Sequence, residues 1–326
     1  MSAPHPRSRL VFALALGLFL TGACMSSPKQ FRGRMIDIGG RNLRMICEGP
    51  KDVGPTVVFE AGAFGTSADW GSVQEKVSGR MRTCAYDRAG LGLSDPGPPP
   101  RDSAAIVADL RKGLAAAGEK PPYLLAAHSM GPVHAYLHAG LYPQDVVGMV
   151  IVDGGSPHMQ QGAQMTAFLK RFRQVTGMAP LAARLGVMAA VKGTKMADPI
   201  GLEGLADQEK RNAFASPRHN YWAAQEVKQW PRDMELAQAA GDVSEDLPLG
   251  VVLAGPATPD RTATRAAPAK RSKHGYYEQV EQASHASVLG PRFNDAIVRA
   301  IDHVRAAAAA KSPQNTALPR GSGGPG

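Results

Sequence analysis

The segment Ala127-His128-Ser129-Met130-Gly131 joins an apolar run at residues 123–127 to helix-compatible sequence at residues 132–141. A buried strand, a sharp turn and a departing helix hold a serine hydroxyl clear of the backbone, where it can act as a nucleophile. Strand and helix crowd together at such a turn, so the residues two before and two after the serine must be small. Ala127 and Gly131 meet that requirement, although glycine is the usual occupant of the first position. A serine hydroxyl is a weak nucleophile on its own. It needs a base, a group that orients the base, and donors for the oxyanion that its attack creates.

His285 is the candidate base. It stands in Glu281-Gln-Ala-Ser-His-Ala286, after the last expected strand and before the last expected helix, with the serine earlier in the chain. Of the other histidines, His128 reads as a wall residue beside the serine, His134 and His138 as surface residues of the following helix, and His303 as part of the C-terminal helix. Two acids compete for the orienting role: Asp153, at the tip of the run Val150-Ile151-Val152, and Asp260, after Leu253-Ala254-Gly255-Pro256. Either carboxylate would fix the tautomer of the base and stabilise its imidazolium. The Gly-rich turn Ala61-Gly62-Ala63-Phe64-Gly65 and the residue after the serine supply candidate backbone donors, Ala63 and Met130, with Phe64 the rival of Ala63. No cofactor or metal-ligand set is expected.

These residues must be carried by strands and helices in alternation. Residues 31–38 and 42–47 flank Gly39-Gly40 as a hairpin. Strands are expected at residues 55–60, 81–86, 123–127, 146–152, 249–254 and 276–282, with helices at 67–77, 103–117, 132–141 and 294–309. This alternation implies βαβ crossovers, a mostly parallel sheet and helices on both faces. Between residues 154 and 246 no strand pattern occurs. Helical patterns at 165–175, 181–191, 207–215 and 221–239 read as a helical cap inserted after the sixth strand. The expected division is therefore a core of residues 31–153 and 247–309, a cap of residues 154–246, and a disordered Pro/Gly/Ser-rich tail at 311–326.

Tyr86-Asp87-Arg88-Ala89-Gly90-Leu91-Gly92-Leu93-Ser94 is a longer signature than the serine turn. It resembles the Asp-x-Arg-Gly-x-Gly-x-Ser pattern of the α/β-hydrolase superfamily. Asp87 and Arg88 can form a charge-assisted anchor beside the serine turn. With the serine turn, the Gly-rich turn and His285, the resemblance spans about residues 31 to 309 and implies an α/β-hydrolase fold with a helical cap. It also implies acyl transfer to water, since the dehalogenase and epoxide-hydrolase branches carry aspartate where Ser129 stands. The superfamily's commonest acid spacing after the seventh strand falls on Thr258, two residues before Asp260. Some members, certain haloalkane dehalogenases among them, carry the acid on the sixth strand, which corresponds to Asp153. The resemblance thus implies hydrolysis of an ester or related acyl bond in a small-molecule substrate. An aminopeptidase-like peptidase, an acyltransferase and a non-catalytic binding protein on the same fold are the alternatives.

The 326 residues suit one substantial core with an appended cap, and 44% apolar with 20% charged residues is ordinary globular composition. The net charge of +9 is spread without aromatic interleaving or a nucleic-acid motif, so no nucleic-acid partner is expected. Arg7 and Arg9, an apolar run at residues 10–20 and Thr21-Gly22-Ala23-Cys24 read as an export signal covering residues 1–23. Cys24 then suits either a lipid anchor or the start of a soluble secreted form, which places the protein in the periplasm, on a membrane or outside the cell. An oxidising compartment would let Cys47 and Cys84 pair as a disulfide, with two buried free thiols as the alternative. Phe168, Phe172, Tyr221, Trp222 and Trp230 could line an acyl pocket, or form the core of the cap. Arg261, Arg265, Lys270, Arg271 and Lys273 lie in an expected solvated loop that could also meet an anionic substrate or membrane.

Overall fold

The computed structural model describes residues 31–158 and 163–311. The segment expected to direct export, with Cys24, and the tail from residue 312 lie outside the described residues. Among the described residues eight strands are present: β1 (Arg34–Asp37), β2 (Asn42–Glu48), β3 (Thr56–Glu60), β4 (Thr83–Tyr86), β5 (Tyr123–His128), β6 (Val146–Val152), β7 (Leu249–Ala254) and β8 (Gly275–Val280). Eleven α-helices accompany them among the described residues: α1 (Gly71–Ser78), α2 (Ser103–Ala116), α3 (Gly131–Leu141), α4 (Ala163–Thr176), α5 (Ala179–Arg184), α6 (Val187–Ala190), α7 (Gly204–Ala215), α8 (Pro217–Ala239), α9 (Pro259–Arg265), α10 (Ala267–Arg271) and α11 (Asp295–Lys311).

The strands form one sheet in the order β1-β2-β4-β3-β5-β6-β7-β8. β2 is antiparallel to β1 and to β4, and every other pairing is parallel. β3, β5 and β7 are buried along their whole length, as near-continuous apolar runs require when helices cover both faces. On one face α2 and α3 pack with residues of α8 and α10; on the other lie α1 and α11. All of this belongs to one compact unit that starts at Arg32. The expected α/β-hydrolase architecture is therefore present, with α4 to α8 inserted between β6 and β7.

Local chemistry explains the boundaries. The β1–β2 hairpin closes on Asp37, whose Oδ1 accepts the N–H groups of Gly39 and Gly40 at 2.9 Å each. Asp102 caps α2 by accepting from Ala105 N–H at 3.0 Å. Ser216 caps α8, and Pro217 occupies its first turn.

Three expectations are corrected. The single helix expected at 181–191 is two helices, because Gly186 adopts a left-handed φ of 79° between them. The expected basic loop is α9 and α10, separated only by Ala266. His134 and His138 are buried rather than on the surface, since α3 is covered by α2 and α8 as well as by the sheet. Cys47 and Cys84 stand directly opposite each other in the antiparallel β2–β4 pair, Cα atoms 4.1 Å apart, and form a disulfide. Among the described residues no helix is long and apolar enough to cross a membrane.

Candidate active site

The carboxyl ends of four parallel strands meet at one place, where open α/β sheets hold their ligands. β5 delivers Ser129, whose N–H donates to Val152 O at 3.1 Å and whose φ is +60°. Gly131 lets helix α3 leave immediately, because a Cβ there would lie 2.7 Å from the Glu60 carbonyl oxygen. β6 delivers Asp153, with φ +40° and its N–H on Val252 O at 2.7 Å. The turn after β3 contributes Phe64, with φ +57°. Among the described residues four non-glycine residues have positive φ, and three of them are these. Such strain costs on the order of 1–3 kcal/mol per residue and gathers where function needs a fixed geometry.

The loop after β8 brings in His285. Its Nε2 lies 2.8 Å from Ser129 Oγ, and its Nδ1 lies 2.6 Å from Asp153 Oδ2. A carboxylate can only accept, so Nδ1 carries the proton and Nε2 is left to accept from the serine hydroxyl. The carboxyl of Asp153 is buried, which pushes its pKa up. The hydrogen bond and charge of His285, the Ala254 N–H and Arg261 outweigh burial and hold it below the usual carboxylate value. Asp260 does not take part in this chain of hydrogen bonds. It lies in the first turn of α9, exposed, while Arg261 and Arg265 of the same helix turn back to Asp153 Oδ1 at 2.6 and 3.5 Å.

The imidazole of His285 is about half exposed, so its orientation depends on its supports. His128 is one of them. Its Nε2–H donates to the His285 carbonyl at 2.8 Å, and the two rings lie 4.7 Å apart. Burial, helped by the neighbouring His285, lowers the His128 pKa to about 3, so it stays neutral. His128 thus stands next to Ser129 in the chain and also holds the backbone that carries the His285 imidazole.

The turn at residues 62–65 is closed by Gly65 N–H on Gly62 O at 3.1 Å. A positive φ at its third residue, Phe64, is what a type II turn requires. The N–H groups of Ala63, Phe64 and Met130 donate to no acceptor among the described residues. Arg88 fixes this turn. Its Nη1 donates to Ala61 O at 2.7 Å and Glu60 Oε1 at 2.8 Å, its Nη2 to Gly62 O at 2.8 Å, and its Nε to Glu226 of α8 at 3.0 Å. Asp87 does not pair with Arg88. It accepts from Ser67 N–H, Ser67 Oγ–H and Leu93 N–H at 2.7–2.9 Å, so the two residues of the signature anchor two different loops.

Two further residues carry no sequence signal. Glu226 reaches Arg88 from the inserted helices, and burial pushes its carboxyl up against the opposing pull of Arg88. His219, also on α8, accepts the Gly92 N–H on Nδ1 at 3.1 Å and hydrogen-bonds the Phe64 backbone, with burial lowering its pKa to about 3. Of the expected pocket aromatics, Phe168 and Tyr221 are exposed, and Phe168 stacks on Phe172 at 5.9 Å. A cavity of about 410 Å³ beside Glu48, Glu75 and Glu203 shares no residue with the site.

The sequence profile described as "Alpha/beta hydrolase family" matches residues 57–300. The uncharacterized protein YqjL of Bacillus subtilis is 40% identical over 101 residues, 31% of this chain and 40% of its own length. The uncharacterized protein YbdG of the same organism is 32% identical over 130 residues, 39% of each chain. The chain thus spans about two fifths of the length of these curated relatives. Among solved structures, Cfl2 from Burkholderia cenocepacia superposes with a TM-score of 0.63 at 19% identity, covering 83% of this chain and 95% of that one, a likeness of fold. With the profile matched from β3 through the serine turn and into the last helix, this chain belongs to the alpha/beta hydrolase family.

Proposed function

We propose that this protein is an exported serine hydrolase that cleaves an ester or related acyl bond through Ser129, His285 and Asp153. The observation that carries the reading is the unbroken hydrogen-bonded series from Ser129 Oγ to His285 Nε2 at 2.8 Å and from His285 Nδ1 to Asp153 at 2.6 Å. His285 takes the hydroxyl proton as Ser129 Oγ attacks the acyl carbonyl. Asp153 keeps the tautomer that leaves Nε2 free and stabilises the imidazolium. The carbonyl electrons move onto oxygen, which is held by the N–H groups of Met130 and Ala63. The imidazolium then gives its proton to the leaving alcohol, and an acyl-enzyme remains. Water, deprotonated by the same imidazole, attacks the acyl carbon, and the acid leaves with Ser129 restored. Serine rather than aspartate at the turn supports acyl transfer over dehalogenation or epoxide opening. The Cys47–Cys84 disulfide supports an oxidising compartment, in keeping with the export segment.

The test is labelling of the full chain by a fluorophosphonate probe, followed by turnover of short-chain esters against aminoacyl amides. The expected result is a label on Ser129 that disappears in Ser129→Ala, and ester turnover that falls by on the order of 10⁴-fold or more in Ser129→Ala or His285→Ala. Full ester turnover by Ser129→Ala would sink the reading. Absence of label would favour a binding protein on the same fold, and preference for the amides a peptidase.

A further inference from the structure

From residue 154 to residue 197 the chain has no aspartate or glutamate but six cations: Lys170, Arg171, Arg173, Arg184, Lys192 and Lys195. This stretch, made of α4, α5, α6 and the turns after α6 that carry Lys192 and Lys195, therefore contributes +6 of the chain's net +9. Among the described residues none of the six is in an ion pair. The contrast with the other basic segment is plain. Arg261 and Arg265 both pair with Asp153, Arg271 with Asp242 and Lys273 with Asp246, which leaves Lys270 as the one cation of that segment with no ion pair among the described residues. The basic surface lies on the inserted helices, not on the segment that the sequence suggests.

The same helices expose apolar side chains. Phe168, Val175, Met178, Leu181, Leu185 and Val187 are between 52% and 71% exposed. With Met196 they make up half of the large apolar side chains exposed among the described residues. On α4 the residues Phe168, Phe172 and Val175 follow one face at spacings of four and three. α4 and α5 both rest on α8, so this apolar set is what they present outward. Concentrated exposed apolar surface marks a place of contact.

We infer that the outer surface of α4, α5 and α6 binds the face of a membrane rich in anionic lipid, its cations on the headgroup phosphates and its apolar side chains in the upper acyl region. A second copy of this chain would set two +6 surfaces against each other. Nucleic acid would leave six apolar side chains facing phosphate. An anionic bilayer surface satisfies both properties at once, as it does for interfacial helices with basic and apolar sides.

The experiment uses the full chain with Cys24→Ser, so that a single added cysteine takes an environment-sensitive dye. The dye is placed at Leu185→Cys, or at Lys112→Cys on α2 as the control. Vesicles are equal parts phosphatidylglycerol and phosphatidylcholine, or phosphatidylcholine alone. The dye at 185 is expected to shift to the blue with anionic vesicles only, and the dye at 112 not to shift. Replacing Lys170, Arg171 and Arg173 together by Gln should weaken the response on the order of a hundredfold. These side chains are exposed, and fluorophosphonate labelling reports that the fold survives. No response at 185, an equal response at 112, or a response to protein concentration without vesicles would each overturn the inference, the last in favour of self-association.

Discussion

Arg261 Nη2 lies 2.6 Å from Oδ1 of Asp153, the carboxylate whose Oδ2 accepts the Nδ1–H of His285. One carboxylate is therefore shared between a permanent cation and the imidazole that the proposed mechanism turns into a cation. The arginine draws off part of the negative charge that would stabilise the imidazolium. In Arg261→Ala the imidazole faces a more negative carboxylate and one cation fewer. Removing Arg261 also takes away one of the charges that hold the Asp153 carboxyl below its usual pKa, so that carboxylate protonates from a higher pH. The acidic limb of kcat/KM for ester hydrolysis should move to higher pH, while the plateau changes less than in Asp153→Asn. A pH-rate profile of the two proteins measures this; identical limbs would mean that Arg261 serves only to pack α9.

Gly62 sits where a Cβ would lie 2.8 Å from Ser129 Cβ and 3.3 Å from His128 Nδ1. Neither neighbour can retreat without moving the serine turn. Gly62→Ala should therefore lower kcat by roughly 10²-fold, the cost of displacing reacting groups by about an ångström, and destabilise the fold by about 1–3 kcal/mol through overpacking. Labelling rate at Ser129 and urea unfolding separate the two effects.

The disulfide joins residues 37 apart in sequence across β2 and β4. Closing a loop of that length restricts the unfolded chain and is worth about 3–4 kcal/mol on the chain-entropy account. Replacing both cysteines by alanine should lower the unfolding free energy by that amount. Reductant should do the same to the parent protein, as read by urea unfolding with and without it.

His138 is buried on α3, and its ring nitrogens have no hydrogen-bond partner among the described residues; Asp145 is the nearest acid at 4.0 Å. Burial lowers its pKa to about 4, Asp145 opposing this. The unfolded chain takes up a proton near pH 6.5 that the folded chain refuses until about pH 4. The stability is therefore complete above the unfolded value and is lost as pH falls through this window. Between pH 7.5 and pH 5 the parent protein should lose about 2 kcal/mol more than His138→Phe, in urea unfolding at the two pH values.

The strand and helix pattern was legible because buried parallel strands leave short apolar runs and covered helices leave a 3.6-residue period. The inserted helices were legible as helices but not in their partners. Nothing near Glu226 or His219 in sequence announces that one meets Arg88 and the other the turn at Phe64. The split at Gly186 and the helices α9 and α10 were missed. Segments of four to seven residues carry too few turns for a period to emerge.

What the sequence by itself determined is local: a serine between a buried strand and a helix, small residues where the two crowd, and a histidine after the last strand. These follow from backbone geometry within a few residues. What only the tertiary structure decided is which charges meet. His285 reaches Ser129 across 156 residues and Asp153 across 132, and Arg261 reaches Asp153 across 108. Two acids, Asp153 and Asp260, were available to the histidine along the chain, with Asp153 slightly favoured. The strand order sets the tip of β6 beside that of β5, while the start of α9 turns Asp260 to solvent and its arginines inward. Proximity in a sheet is fixed by strand pairing, not by distance along the chain, and so the partner of His285 could be read only from the fold.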